Sequence, residues 1–421
     1  VTSALEKILA AQPSITDWQD DLYIHFHRNP ELSFVEHQTH DRIAEELDRL
    51  DGVEVVRHIG ETGLVGIVRN GDGPTVLMRA DIDALPVREL TGLEYASTVV
   101  GVSSDGETSP VMHACGHDIH ISSLLGATRL LTEHTDAWSG TFLALFQPAE
   151  ERATGAEKMV DDGLVDRIPK PDVAFSQHVM PQAAGDIHAN IGPAMSAADS
   201  MKITLFGRGG HGSMPQTTVD PAVLASLVVL RLQTIVAREL APHDFGVVTV
   251  GKMVVGSKVN IISDRAELHV NVRSFNEQTR AHILEAIERM VNAECEASGS
   301  PQPPTFEYYD QFPLTDNDED VTTRVRSAFA DAFGDRFIEA TPSSGSEDFG
   351  AIPNAFGVPY CYWMVGGSDR EAFADAKKRG VIAKEIPGNH SPFFAPVMHP
   401  TLDAATKAIL VVATEWMPPA G

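Results

Sequence analysis

The chain has 421 residues, 43% of them hydrophobic, which is enough for a sizeable core and makes two domains a fair expectation. Asp and Glu outnumber Lys and Arg by 59 to 32, a formal net charge of −27. A field of that sign repels phosphate backbones and anionic lipid headgroups, so neither nucleic acid nor a membrane is an expected partner.

Helical periodicity covers residues 3–12, 15–28 and 37–50. VEVVRHI, GLVGIVRN and PTVLMRADID then read as short β-rich runs separated by Gly and Asp. HISSLLGATRLLTEH has a helical pattern, and GTFLALFQP after it is a continuous apolar run of buried-strand type. EKMVDDGL reads as a short helix and PDVAFSQHV as another buried strand. This alternation predicts an α/β fold, a mostly parallel sheet with helices on its faces. Near residue 195 the character changes. SMKITLFGR alternates, a Gly-rich turn with a histidine follows, and a long helix pattern runs through DPAVLASLVVLRLQTIVARE. GVVTVGKMVV, the alternating AELHVNVRSF and the helix EQTRAHILEAIERMVNAECEA complete a compact α+β unit. The Pro-rich SPQPPT, 300–305, marks its exit. Residues 195–308 are therefore expected to be a domain inserted into a catalytic domain made of 1–194 and 309–421. DNDED, 316–320, reads as a solvated loop, and TLDAATKAILVVATEWM as a C-terminal helix.

The N-terminus carries early acidic residues and no basic segment leading into an apolar one, so it does not read as a secretory signal. No run approaches the ~18 apolar residues of a spanning helix. Cys115, Cys295 and Cys361 are too few and too scattered for a disulfide framework and fit a reducing compartment. The expected location is cytoplasmic.

Four segments carry donor residues. MHACGHDIH, 112–120, holds three histidines, a cysteine and an aspartate. Cys115 and His117 can reach one metal if the backbone turns at Gly116; a polar loop around a buried cysteine is the plainer alternative. In QPAEE, Glu150 and Glu151 stand at the end of an apolar run, where α/β sites form. Adjacent carboxylates repel unless a cation sits between them, and they can divide the work, one ligating and the other taking a proton from water. The alternative is an acidic helix N-terminus. His178 in SQHVMP also ends an apolar run, and His390 in GNHSPFF lies in a turn-rich segment. Each alone is as well explained structurally, but Cys, His, Glu, His and His together suit a first-row divalent metal.

These segments fall in a familiar order. HRNPELSFVEHQT (27–39), RADIDALPV (79–87), MHACGHD, FQPAEE, QHVMP, GRGGHGSMP with VDP, GSEDF (345–349) and HSPFF resemble successive blocks of the M20 metallopeptidase family. The likeness is to its amidohydrolase branch of aminoacylases, hippurate hydrolases and auxin-conjugate hydrolases, and it spans nearly the whole chain. The resemblance implies a zinc-peptidase-like catalytic domain with an inserted ferredoxin-like domain serving as lid and dimer interface. It implies a homodimer that hydrolyses the amide bond of N-acyl-L-amino acids with two divalent ions, Zn²⁺ or Mn²⁺, with Co²⁺ and Ni²⁺ as further candidates.

Carried over residue by residue, it makes Cys115, His117, Glu151, His178 and His390 the metal ligands and Glu150 the general base and later acid. Asp81 and Asp83 would support the site from behind; the dipeptidase branches have a metal-binding histidine near Asp81, and this chain has none. His211 in GGHGS resembles the lid histidine that reaches the partner's substrate, and Asn260 and Arg273 resemble residues that hold the substrate carboxylate. Ser263 stands where the family usually has Pro, which loosens the turn after Asn260. Three other readings compete: a metallo-dipeptidase or carboxypeptidase of the wider family, a non-catalytic binding protein on this scaffold, and a nucleotide enzyme using GRGGHG. Cys115 in a carboxylate's place argues against the first, the intact donor set with Glu150 against the second, and the glycine spacing against the third.

Overall fold

The computed structural model describes residues 4–419. Residue 3, at the head of the first expected helix, and the extreme ends of the expected catalytic domain lie outside the described residues. The chain divides into two compact units, one of Val1–Ala194, Asp316–Thr341 and Asp348–Gly421, the other of Met195–Thr315 and Pro342–Glu347.

A run without alternation must be covered on both faces. Accordingly, Gly140–Gln147 is buried at every position but Thr141 and lies inside an eight-stranded sheet. Gly140–Gln147, Thr75–Asp81, Val173–Ala183 and Tyr360–Ser368 are parallel neighbours at its centre. Val53–Ile59 and Gly63–Asn70 extend one side as an antiparallel pair; Ile187–Ala189 and Phe337–Glu339 extend the other. The helices His117–Glu133 and Met398–Trp416 pack on each other and on central strands. They bury Ile119, Leu124, Leu131 and Leu410 with Phe142, Phe175 and Trp363 in one core, each contributing about 1.5–3 kcal/mol relative to exposure. The register positions the site. Asp81 pairs with Gln147 and Arg79 with Ser176, so Asp81, Gln147 and His178 arrive together at the carboxyl ends of adjacent strands.

In the second unit, Gly246–Val255, Arg265–Ser274, Ala197–Phe206 and Thr305–Phe312 form an antiparallel sheet in that order. Helices Pro221–Thr234 and Glu277–Ala297 pack on it and on one another, which gives the ferredoxin-like arrangement. Ala266, Leu268, Val270 and Val272 alternate into the core, as the period-2 pattern requires.

Three expectations change. The second unit runs past residue 308, because Thr305–Phe312 is the edge strand of its sheet, with Phe306 opposite Ile203. It also takes in Pro342–Glu347, where the Ser196 amide donates to the Ser343 and Gly345 carbonyls. DNDED is not a solvated loop. The buried Asn317 amide donates to the carbonyls of Asn190 and Tyr362, and Asp318 accepts from the Val321 amide as the cap of helix Glu319–Phe333. Finally, Pro221–Glu239 is long and apolar enough to cross a membrane by length and composition. Leu224, Val228, Leu232 and Ile235 on this segment are buried in the second unit's core, whereas Val223, Leu227 and Leu230 are exposed.

Candidate metal centre

The cluster is built by four loops of the first unit. In the first, Gly116 takes φ +83° as the cap of helix His117–Glu133, and a Cβ there would stand 2.3 Å from Val179 Cγ1. Only glycine fits both the angle and the space. The turn places Cys115 and His117 side by side. His117 Nδ1 lies 2.8 Å from the Asp83 carbonyl and must donate to it, which leaves Nε2 buried without a hydrogen-bond partner. His178 repeats the pattern: Nδ1 donates to the Val179 carbonyl at 2.8 Å, and Nε2 faces Cys115 Sγ at 3.3 Å. A ring fixed through one nitrogen and open at the other is how imidazole is presented to a metal.

The loop after Gln147 is strained. Ala149 and Ala153 have φ of +48° and +56°, and between them Glu150 and Glu151 lie in one short helical turn. Side chains from elsewhere hold the strained backbone. The Ala149 amide donates to Glu36 Oε1 at 2.9 Å, and the Glu151 amide donates to Asp83 Oδ2 at 3.1 Å. Glu151 then reaches His390 Nε2 at 3.3 Å and His117 Nε2 at 3.8 Å. His390 is itself at φ +67°, its amide bonded to the Ala114 carbonyl. The neighbouring Asn389 donates to the carbonyls of Cys115 and Val179, joining three of the four loops.

Donor atoms of Cys115, His117 and His178 lie within 4.8 Å of one another, as do those of Cys115, Glu151 and His390 and those of His117, Glu150 and Glu151. The five expected ligands and Glu150 are thus one cluster. It fits divalent cations by chemistry as well as distance, since thiolate, imidazole and carboxylate converge with His117 Nε2 and Glu151 Oε1 buried and unpartnered. The field points the same way. Burial, reinforced by the charges of Glu151, Glu150 and Asp81, pushes the Cys115 thiol well up. Burial works against a charged His117, but Asp81, Asp83 and Glu151 outweigh it and lift the imidazole to about 10. A bound divalent cation would relieve such a concentration of negative charge in place of those protons. His120 is not a free donor. Its Nε2 accepts from the Val179 amide, so its Nδ1 carries the proton given to Asp81.

Asp81 is buried between Arg79 and His120. Burial raises its pKa, but His117, Arg79 and His120 hold it well below the carboxylate range. Fully buried Arg79 also binds Gln147 and Asp348, and Asp348 accepts from the Ala156 amide beyond the strained loop.

Several supporting residues carried no signal of their own in the sequence. Burial and the Asp83 charge push Glu36 up to about 8. His27 is buried between Asp118, at 2.6 Å, and Glu89, at 3.1 Å. Burial lowers its pKa, yet the two carboxylates overcome that and raise it to about 9. Both residues lie inside HRNPELSFVEHQT, a segment legible as a motif but not as a support for ligand loops nearly a hundred positions on.

His211, Asn260 and Arg273 all lie in the second unit. His211 is exposed, on a two-residue strand opposite Ile261, and its Nδ1 accepts from the Ser213 hydroxyl at 2.8 Å. The Gly212 amide donates to the Asn260 carbonyl. Ser263, in the expected proline's place, donates to the Arg265 carbonyl at 2.9 Å and so ties the turn itself. Arg273 donates to the Ser344 carbonyl and Ser346 hydroxyl.

An α/β sheet with soft and hard metal donors gathered at its carboxyl ends defines a metallohydrolase class of site. The model of peptidase family M20/M25/M40 matches residues 77–378. An IAA-amino acid hydrolase ILR1-like 4 of Arabidopsis thaliana is 34% identical over 92% of this chain and 83% of its own. Thermostable carboxypeptidase 2 of Saccharolobus solfataricus is 33% identical over 97% and 98%. An N-acetyl-L-cysteine deacetylase of Bacillus subtilis is 36% identical over 79% and 77%. Among solved structures, the Bacillus subtilis YXEP protein, described as a dinuclear metal binding peptidase from the M20 family, matches with a TM-score of 0.75 at 27% identity, over 95% of this chain and 98% of that one. The chain belongs to peptidase family M20/M25/M40, and within that family of metal-dependent hydrolases to the amidohydrolase branch.

Proposed function

We propose that this protein hydrolyses the amide bond of N-acyl-L-amino acids, with two divalent cations held by Cys115, His117, Glu151, His178 and His390. The observation that carries the reading is the convergence of those donors on Glu150, a buried carboxylate that shares a cluster with His117 and Glu151. Held there, divalent cations supply Lewis acidity toward an amide carbonyl and toward water. Glu150 takes the proton from the attacking water and later delivers it to the leaving amine. Products are a carboxylic acid and a free amino acid. His211 steadies the developing oxyanion, and Asn260 and Arg273 hold the substrate carboxylate. Thiolate and imidazole favour Zn²⁺ by softness, with Mn²⁺ next.

A carboxypeptidase reading has the Saccharolobus relative in its favour. Both readings break the amide before an amino acid with a free carboxylate and differ in what precedes it. The test is a panel of N-acetyl and N-benzoyl amino acids against dipeptides and tripeptides with free amines, on metal-loaded protein. Faster turnover of the acylated compounds by tenfold or more is expected; preference for free-amine peptides would install the peptidase reading. Pairing of two copies through the second unit belongs to the same proposal. It is supported by the exposed Val223, Leu227 and Leu230, which recur at helical spacing. Light scattering should give twice the chain mass for wild type and less for Leu227→Glu.

A further inference from the structure

Glu151 lines part of a cleft of about 340 Å³ in the first unit, and none of the roles above uses the rest of it. That volume is at the small end of ligand pockets, which run from ~300 Å³ upward. Buried Leu32 and Ala84 with Leu85 give the cleft an apolar floor, which buried Ser33 shares, and exposed Pro86 lies at the edge. Leu32 and Ala84 belong to a small core with Val111, and this core anchors the hairpin Val100–Val102/Thr108–Pro110 along one wall. The mouth carries Glu107, Asp105 and Arg152. Arg152 is already engaged, donating to the Ser104 hydroxyl at 3.0 Å and to Asp105 Oδ2 at 2.9 Å. Glu107 leaves the mouth net negative.

We propose that this cleft is the acyl-group subsite and that it selects uncharged acyl groups longer than acetyl. The proposal rests on the N-acyl amino acid reading above. Such a substrate has one half that always bears a carboxylate and one half that need not. A cleft whose single arginine is spent on Asp105, with Glu107 at the mouth, offers an anion nothing and repels it. The amino-acid half is therefore not seated here, and the acyl half is. The apolar floor directly beside a metal ligand then rewards added methylenes by about three- to fourfold each while they remain buried, and a dicarboxylic acyl group such as succinyl is disfavoured.

The test is kcat/KM on one amino acid carrying acetyl, butanoyl, hexanoyl, benzoyl or succinyl groups, with metal-loaded wild type, Ser109→Trp and Glu107→Lys. Ser109 lines the cleft from the hairpin, and no hydrogen bond to its hydroxyl is present among the described residues. Wild type should rise tenfold or more from acetyl to hexanoyl and cleave succinyl at least tenfold less well than butanoyl. Ser109→Trp should erase the advantage of hexanoyl and benzoyl over acetyl. Glu107→Lys, an exposed change that does not depend on repacking, should raise succinyl relative to butanoyl about tenfold. A flat acyl ranking in wild type, or both variants keeping the wild-type acyl ranking, would overturn the subsite while the hydrolase reading stands. Failure of metal-loaded wild type to cleave any member would overturn that reading, and the subsite with it.

Discussion

His117 and His211 sit in different kinds of surroundings. His117 is buried and opens a helix of the first unit, with Nδ1 fixed on the Asp83 carbonyl and Nε2 left open toward Cys115, Glu151 and His178. His211 stands exposed on a two-residue strand of the second unit, held through the neighbouring Ser213. The contrast extends to their neighbours. Around the donors, strained Ala149 and His390 are tied by Glu36, Asn389 and the Ala114 carbonyl. Around Asn260 the turn is tied by the Ser263 hydroxyl and by backbone bonds to the two-residue strand of His211, with no buried side chain catching it among the described residues. A ligand must be in place before its ion arrives, so its supports are rigid. A residue that engages and releases substrate can sit on a weakly held element.

The largest expected effect tests the rigid side. Glu150→Gln should lower kcat by about 10²–10⁴, with metal content by elemental analysis unchanged; loss of metal in that variant would make Glu150 a ligand instead of a base. Next is backbone fit. Gly116→Ala forces a left-handed alanine, ~1–2 kcal/mol, and overpacks Val179, a further ~1–3 kcal/mol. Denaturant unfolding should show a loss of about 2–5 kcal/mol. By contrast, Gly251 in the second unit has open space where a Cβ would go, so Gly251→Ala should stay within about 0.5 kcal/mol.

The third prediction concerns pH. The folded pKa of His27, about 9, lies above its ordinary 6.5. Its contribution to stability is therefore fully present below pH 6.5 and lost as pH rises through 9. At about 1.4 kcal/mol per pKa unit, the loss is at most about 3.5 kcal/mol. His27→Gln should flatten the stability–pH curve over that window; an unchanged slope would remove the buried imidazolium from the account. Smallest is the exposed side: His211→Ala should cut kcat about tenfold while leaving metal content and melting temperature alone.

The parallel core was legible because its strands are apolar without alternation, and the long helices because their periodicity is strong. The donors were legible because Cys, His and paired Glu are conspicuous at strand ends and glycine turns. What escaped was set by tertiary partners. Nothing in an alanine announces the left-handed backbone of Ala149 or Ala153, which exists because Glu36 and Asp83 catch the amides around it. Asn317 is buried in an acidic run because two carbonyls meet its side chain. Thr305–Phe312 is largely exposed, so its pattern did not mark it as the last strand of the second unit.

The most direct test of the central claim is titration of Zn²⁺ or Mn²⁺ into chelator-stripped protein, followed by calorimetry and by release of amino acid from N-benzoyl and N-acetyl substrates. The account predicts two ions per chain, hydrolysis restored in step with their binding, and loss of both in Cys115→Ala and His117→Ala. Full hydrolysis by stripped protein, or unaltered metal binding in those two variants, would contradict it.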